Sequence, residues 1–279
     1  MTPSEYTFLS DFLLEKSGLA LGPAKEYLLE ARLIPIAQSW GLSNLAELVQ
    51  ELQRKNGVLE TAVMEAMTTN ETSFFRDTTP FDDLRRVILP GLLEARRASR
   101  TLRVWCAAAS SGQEPYSFLM LCEETFPELC AWNFEFVATD ISSQILVRAE
   151  AGVYTQFEIQ RGLPIQMLLK HFEQTPAGWQ VKPNLRKRVR FRTLNLLQNF
   201  SHLGQFDVIM CRNVMIYFDA ERKREIFERL HRALRPDGYL MLGAAETVLG
   251  LTDRFERRRT CTSAVYGPNV PVTTARSTG

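Results

Sequence analysis

The chain has 279 residues, of which 45% are hydrophobic and 23% charged, enough for one large globular domain or two modest ones. A formal net charge of +1 excludes bulk electrostatic attraction to nucleic acid or to a membrane surface. Five scattered cysteines (Cys106, Cys122, Cys130, Cys211, Cys261), odd in number and with no C-x-x-C pair, argue against a disulfide framework or a metal site and for a reducing, cytoplasmic compartment.

The opening MTPSEYTFLSDFLLEK carries acids early and no basic segment before an apolar one, so no signal peptide is expected. No apolar run approaches the roughly 20 residues of a membrane span, so no membrane insertion is expected. Charge is uneven along the chain. Residues 1–70 hold five basic and nine acidic side chains, net −4, which leaves +5 for the remainder.

Residues 1–70 read as a helical domain. Tyr6, Leu9 and Leu13, then Leu29, Leu33 and Ile36, then Leu45, Leu48, Val49 and Leu52 behind Ser43 and Asn44 as caps, and finally Leu59, Val63 and Met67, mark four amphipathic helices. These stripes are core. A polar segment TTNETSFFR follows at 68–76. Thr79-Pro80 then starts a helix expected to break or kink at Pro90-Gly91.

From residue 101 strands and helices alternate, which predicts a parallel sheet covered on both faces. Strands are expected at 101–106, 134–139, 188–193, 206–211, 239–244 and 263–266, the fifth after a turn at Pro236-Asp237-Gly238. Helices are expected at about 114–125, 142–151 and 219–234. Residues 153–188 interrupt the pattern with a helical piece at 165–172 and a turn at Thr175-Pro176-Ala177-Gly178, and read as an inserted mini-domain. The tail 268–279 has no apolar periodicity and is expected to be disordered, which puts the second domain at 71–267.

The stretch VWCAAASSGQEPYS at 104–117 organises this half. A buried strand stops in a small-residue turn, Ala107 to Gly112, and restarts as a helix at Glu114-Pro115. Such a corner lets a ligand approach the backbone, with a helix N-terminus supplying donors. A tightly packed corner without a ligand is the plainer alternative. Ligands of open α/β sheets bind at the carboxyl ends of strands, and the polar strand ends here are this turn, Asp140, and Arg212-Asn213.

An acid after the second strand can accept from both ribose hydroxyls of an adenosine, or can merely cap the following helix. The spacing from Gly112 to Asp140 is 28 residues, longer than the roughly 20 of a dinucleotide fold, and the turn lacks three glycines for a pyrophosphate. Both facts favour S-adenosylmethionine. In CRNVMIYFD at 211–219, Arg212 and Asn213 close a buried strand, where polar groups need partners. Asp219 fits a helix cap, and Cys211 the core.

Taken together, TTNETSFFR, AAASSGQEPYS, ATDI, LNLL and CRNVMIYFD resemble, in order, the motifs of the chemotaxis receptor methyltransferases, the CheR family, over about residues 5–266. The resemblance implies an all-α N-terminal domain followed by a class I S-adenosylmethionine-dependent methyltransferase, an α/β Rossmann-like sheet with an inserted small antiparallel β-subdomain. It implies methyl transfer from S-adenosylmethionine to glutamate side chains on the cytoplasmic helices of chemoreceptors, giving methyl esters and S-adenosylhomocysteine.

Carried over by position, Asn70, Thr72, Arg76, Ala108, Glu114, Asp140, Asn195, Leu196, Arg212 and Asn213 contact the cofactor, and Arg76 and Tyr217 lie nearest the transferring methyl. No metal is implied. Plainer roles exist for several. Thr72 could cap a helix, Asn195 could sit in a turn, and Glu114 could answer a helix dipole. Phe74 and Phe75 fit core packing, and Arg76 could pair with Asp77 or Asp82. His171, His202 and His231 lie outside every motif.

Three features depart from that pattern. The stretch 24–40, where relatives that act on receptors carry a basic helix, has only Lys25 and Arg32 against Glu26 and Glu30. The hairpin at Pro176-Ala177-Gly178 lacks the glycine-flanked loop of members tethered to a receptor's C-terminal pentapeptide, so tether-independent action is expected. The strongest basic run is LRKRVRFR at 185–192, in which Arg186, Arg188, Arg190 and Arg192 alternate onto one strand face. That face is either an edge strand guarded by charge or a receptor-docking surface. With Phe191 alone to stack on, nucleic-acid binding is not expected. Two rivals are an enzyme of this fold acting on a small carboxylate and a non-catalytic S-adenosylmethionine sensor.

Overall fold

A computed structural model describes residues 1–22 and 24–269. Four helices open the chain: α1 (Pro3–Ser17), α2 (Glu26–Ser39), α3 (Leu45–Gln53) and α4 (Gly57–Met67). Each start has a local cause. Thr2 forms a reciprocal capping box with Glu5 at α1, and Asn44 accepts from the Glu47 N–H at 3.0 Å to cap α3. Asn44, and not Ser43, is therefore the cap of α3. The apolar stripes converge on one core of Leu9, Leu13, Leu29, Leu33, Leu48, Leu59 and Val63, all fully buried.

The segment after Thr78 runs as α5 (Thr79–Asp83), a π-helical stretch Leu84–Ile88, and α6 (Leu89–Ala95). The expected break at Pro90-Gly91 is corrected by this. Pro90 sits in the first turn of α6, where its missing N–H costs little, and the irregularity falls just before it, closed by the Leu89 N–H on the Leu84 carbonyl.

The main sheet has seven strands: β1 (Thr101–Ala107), β2 (Asn133–Asp140), β6 (Val189–Thr193), β7 (Phe206–Cys211), β8 (Leu234–Leu242), β9 (Phe255–Arg257) and β10 (Val265–Pro268). Their spatial order is β6-β2-β1-β7-β8-β10-β9. The first five are parallel, while β10 is antiparallel to β8 and β9 to β10. Period-two alternation divides the strands between the two faces. Leu102, Val104 and Cys106 of β1 join one core and Trp105 and Ala107 the other, and β7 splits the same way. After β1 the chain builds outward to β2 and β6, then crosses to β7 on the other side of β1. That reversal opens a crevice at the carboxyl ends of β1, β2 and β7.

The interruption is a second sheet of β3 (Val153–Tyr154), β4 (Phe172–Thr175) and β5 (Gly178–Val181), antiparallel in the order β3-β5-β4. It carries α9 (Gln156–Gln160), α10 (Ile165–His171) and α11 (Pro183–Arg186). The flanking helices α7 (Gln113–Thr125), α8 (Ser143–Ala151) and α12 (Ala220–Ala233) cover the main sheet.

Several sequence expectations change. β8 begins at Leu234 and runs through Pro236-Asp237-Gly238 instead of starting after a turn there. β9 was not anticipated. Pro268 belongs to β10 and not to the tail, whose residues 270–279 lie outside the described residues. The arginine run does not share one strand face, because α11 ends at Arg186 and β6 starts at Val189. Arg186 donates to the Val181 carbonyl, Arg188 stacks over Phe134, and only Arg190 and Arg192 stand on β6, at the edge of the sheet. Among the described residues no helix is long and apolar enough to cross a membrane.

Candidate active site

The crevice is a cleft of about 1020 Å³, open mouth included. It gathers every cofactor-binding or catalytic residue the resemblance implies: Asn70, Thr72, Arg76, Ala108, Glu114, Asp140, Asn195, Leu196, Arg212, Asn213 and Tyr217. Its remaining lining includes Ser17, Leu19, Met64 and Met67, so the helical domain forms one wall.

The corner after β1 is built by backbone strain. Ala108 and Ser110 have φ of 67° and 50°, and Gly112, which precedes α7, has 92°. Non-glycine residues held there persist only where surrounding contacts fix them. Here the Ala109 N–H donates to the Thr139 carbonyl at 2.8 Å and the Ser110 N–H to Asp140 Oδ2 at 2.9 Å. Asp140 Oδ1 accepts from the Ser142 N–H at 3.1 Å. Asp140 is not the cap of α8, because Ser142 fills that place through its hydroxyl and the Ile145 N–H. Asp140 lines the cleft, and a carboxylate has capacity for more hydrogen bonds than these. Burial holds the Asp140 carboxyl above the usual aspartate range, opposed by its backbone hydrogen bonds.

Arg212 follows β7 and is 4% exposed. Its guanidinium donates to Glu114 Oε1, to Asp77 Oδ2 at 2.8 Å and to the Arg76 carbonyl at 3.0 Å. Glu114, in the first turn of α7, also accepts from the Cys106 thiol at 3.3 Å. It therefore faces a cation as well as a helix dipole. Arg212 Nε is buried and has no partner among the described residues.

The segment 70–78 drapes over these strand ends. The Ser110 hydroxyl donates to the Asn70 carbonyl at 2.9 Å, and the Phe75 N–H donates to Ser117 Oγ at 3.0 Å. Phe75, Asp77 and Thr78 all have positive φ. Phe74 is fully buried beside Tyr154 and Phe172, and Phe75 packs on Phe81. Gly162 at φ 90° packs so closely that a Cβ would lie 2.1 Å from the Phe74 carbonyl. The half-buried Arg76 pairs with neither Asp77 nor Asp82. Its guanidinium donates to the Glu71 carbonyl at 3.1 Å, while Asp77 goes to Arg212 and Asp82 to Arg85.

The helical wall is tied on by polar contacts. Asn195 donates to the Lys16 carbonyl at 2.7 Å and accepts from the Leu197 N–H at 3.0 Å, so its amide already serves α1 and its own turn. The Ala20 N–H donates to the Tyr217 carbonyl at 3.0 Å. Glu65 of α4 accepts from Ser143 Oγ at 2.9 Å and the Gln144 N–H at 3.2 Å, at the N-terminus of α8. Thr72 caps no helix and lines the cleft, whereas Asp219 caps α12 through the Arg222 N–H at 2.8 Å.

Sequence reasoning missed Met67, whose spacing marks it as core, its neighbour Met64, and Ser110, hidden among small turn residues. It also missed Glu246, which accepts from the Asn213 N–H and bears no local motif.

Comparison with known proteins finds relatives over nearly the whole chain. The family described as CheR methyltransferase, SAM binding domain, matches residues 70–264, and its companion all-alpha domain matches residues 4–68. The chain is similar to chemotaxis protein methyltransferase 1 of Pseudomonas aeruginosa, with 43% identity covering 94% of this chain and 97% of that one. It is also similar to chemotaxis protein methyltransferase Cher2 of Pseudomonas putida, with 41% identity over 91% and 94% of the two chains. For the chemotaxis protein methyltransferase of Vibrio parahaemolyticus the identity is 40%, over 95% and 97%. The chain belongs to the CheR methyltransferase family and is an S-adenosylmethionine-dependent methyltransferase of chemotaxis.

Proposed function

We propose that this chain methylates glutamate side-chain carboxylates on the cytoplasmic helices of chemoreceptors, forming glutamate methyl esters, and that it works in the cytoplasm. The observation that carries this reading is the cleft itself. It brings a buried acid, a buried arginine with a free donor, and the half-buried Arg76 and Tyr217 into one cavity.

The donor set fits S-adenosylmethionine. Asp140 has lone pairs left for ribose hydroxyls, Arg212 Nε is an orphaned donor suited to a carboxylate, and Glu114 is an acid suited to an ammonium. We assign cofactor contacts to Asn70, Thr72, Arg76, Ala108, Glu114, Asp140, Asn195, Leu196, Arg212 and Asn213. Asn195 acts chiefly through its backbone and its hold on α1.

When bound, the cofactor supplies a methyl group on a positively charged sulfur, which is its own activator. A glutamate, with an ordinary pKa near 4.3, is already an anion at neutral pH, so no general base is required. No histidine lines the cleft. The remaining work is to align carboxylate oxygen, methyl carbon and sulfur, which can supply roughly 7–11 kcal/mol. Arg76 and Tyr217 hold the incoming carboxylate. The Arg76 bond to the Glu71 carbonyl keeps its guanidinium from gripping the nucleophile with all donors, so its role is orientation.

The short β4–β5 hairpin, with only Pro176 and Ala177 between its strands, supports action without a C-terminal pentapeptide tether. An affinity measurement finding tight binding of such a peptide would contradict that part. For the main reading, radiolabelled methyl transfer to receptor membranes is the test. Label released as methanol by mild alkali supports it, and absence of transfer to receptors rejects it.

A further inference from the structure

We propose that Glu246 is a positioning residue for methyl transfer, fixing the Asn213–Tyr217 loop against the end of β8. Glu246 is 6% exposed, and among the described residues no lysine or arginine forms an ion pair with it. A buried carboxylate without a cation is costly unless hydrogen bonds replace its water. Three backbone N–H groups do so. Oε2 accepts from Gly243 at 2.6 Å and from Asn213 at 2.9 Å, and Oε1 accepts from Ile216 at 3.3 Å.

The first bond closes the Glu246 turn on itself, and the other two cross to a loop far away in sequence. Gly243 follows β8, while Asn213 and Ile216 begin and nearly end the loop that leads from Arg212 to Tyr217. Asn213 stands at φ 57°, a left-handed conformation that asparagine tolerates better than most side chains, and its N–H in that conformation meets Glu246 Oε2. The junction has no slack. A Cβ on Gly243 would lie 2.7 Å from Glu246 Oε2, 2.8 Å from Asn213 Nδ2 and 2.9 Å from the Asn213 nitrogen.

Asn213 and Tyr217 both line the cleft, whereas Glu246 does not. Glu246 therefore acts through them. It fixes the cofactor-side amide and the substrate-side phenol in one register. The inference rests on the cleft being the methyl-transfer site, and it adds the group that sets the geometry of one rim.

Glu246→Gln tests it, because glutamine keeps one acceptor and turns an NH2 toward a backbone donor. Each lost hydrogen bond to a charged group is worth about a factor of ten or more. We expect calorimetric affinity for S-adenosylmethionine to weaken about tenfold and kcat per bound cofactor to fall at least about tenfold. The thermal midpoint should fall by only about 3–6 °C, leaving the variant folded at the assay temperature.

Gly243→Ala, which wedges the same junction from the opposite side, should reproduce both losses. A purely structural Glu246 would lower the midpoint and the folded fraction while the folded molecules bound cofactor normally. That result, or a Glu246→Gln chain with parental affinity and kcat, overturns the proposal. Calorimetry needs no methyl acceptor. A parent chain that bound cofactor but failed on receptors would therefore count against the glutamate reading alone.

Discussion

The Arg212 guanidinium lies 2.8 Å from Asp77 Oδ2, so the residue that follows β7 also anchors the strained segment that carries Arg76. The same guanidinium neutralises Glu114 and donates to the Arg76 carbonyl. One buried cation thus joins a strand end, a helix N-terminus and the segment that drapes over both. These contacts are made among the chain's own residues.

Replacing Arg212 with methionine leaves Glu114 buried without its cation and releases Asp77. Breaking a buried pair in this way costs about 3–5 kcal/mol. Urea unfolding should show a loss of that size, and cofactor binding should be abolished at concentrations that saturate the parent.

Arg76 has no such structural load, since its side chain makes one hydrogen bond, to the Glu71 carbonyl. Arg76→Ala should therefore lose turnover by about a hundredfold or more, as orienting groups do, while affinity for S-adenosylmethionine stays within a few-fold. Steady-state methylation and calorimetry on the same preparation read the two effects separately.

Asp140 gives a pH signature. Burial raises its carboxyl pKa, so ionising it opposes folding, and the ligand-free protein gains stability from this group as pH falls through that pKa. Cofactor binding has the opposite sign, because hydroxyl donors favour the ionised carboxylate. Affinity should be full above the Asp140 pKa and decline as pH drops through it. Asp140→Asn should bind weakly at every pH and lack that decline, which a calorimetric pH series would show.

Gly162 packs the inserted subdomain against the segment 70–78. At φ 90° and with a Cβ placed 2.1 Å from the Phe74 carbonyl, Gly162→Ala must push residues 74–76 toward the cleft or shift the insertion. Activity should fall more than cofactor affinity, and protease cleavage near residues 70–78 should accelerate.

The fold was legible in the sequence because buried parallel strands read as short apolar runs. VWCA and FDVIMC needed no partner information to be recognised, and small residues at 107–112 announced a βα corner. The strand ends were legible for the same reason, since Asp140 and Arg212 interrupt apolar runs. What escaped depends on contacts distant along the chain. Met67 has core spacing and still walls the cleft beside Met64, because the helical domain docks through Glu65 and Lys16. Glu246 reaches a backbone 33 residues away. The alternating arginines failed as a pattern because Pro183 starts a helical turn that absorbs Arg186 before β6 begins.

The most direct measurement is tandem mass spectrometry of receptor incubated with S-adenosylmethionine and either the parent chain or Arg76→Ala. The account predicts single methyl groups on glutamate side chains of the receptor's cytoplasmic helices with the parent and almost none with the variant. Methylation confined to lysine or other side chains, or equal modification by both proteins, would contradict it.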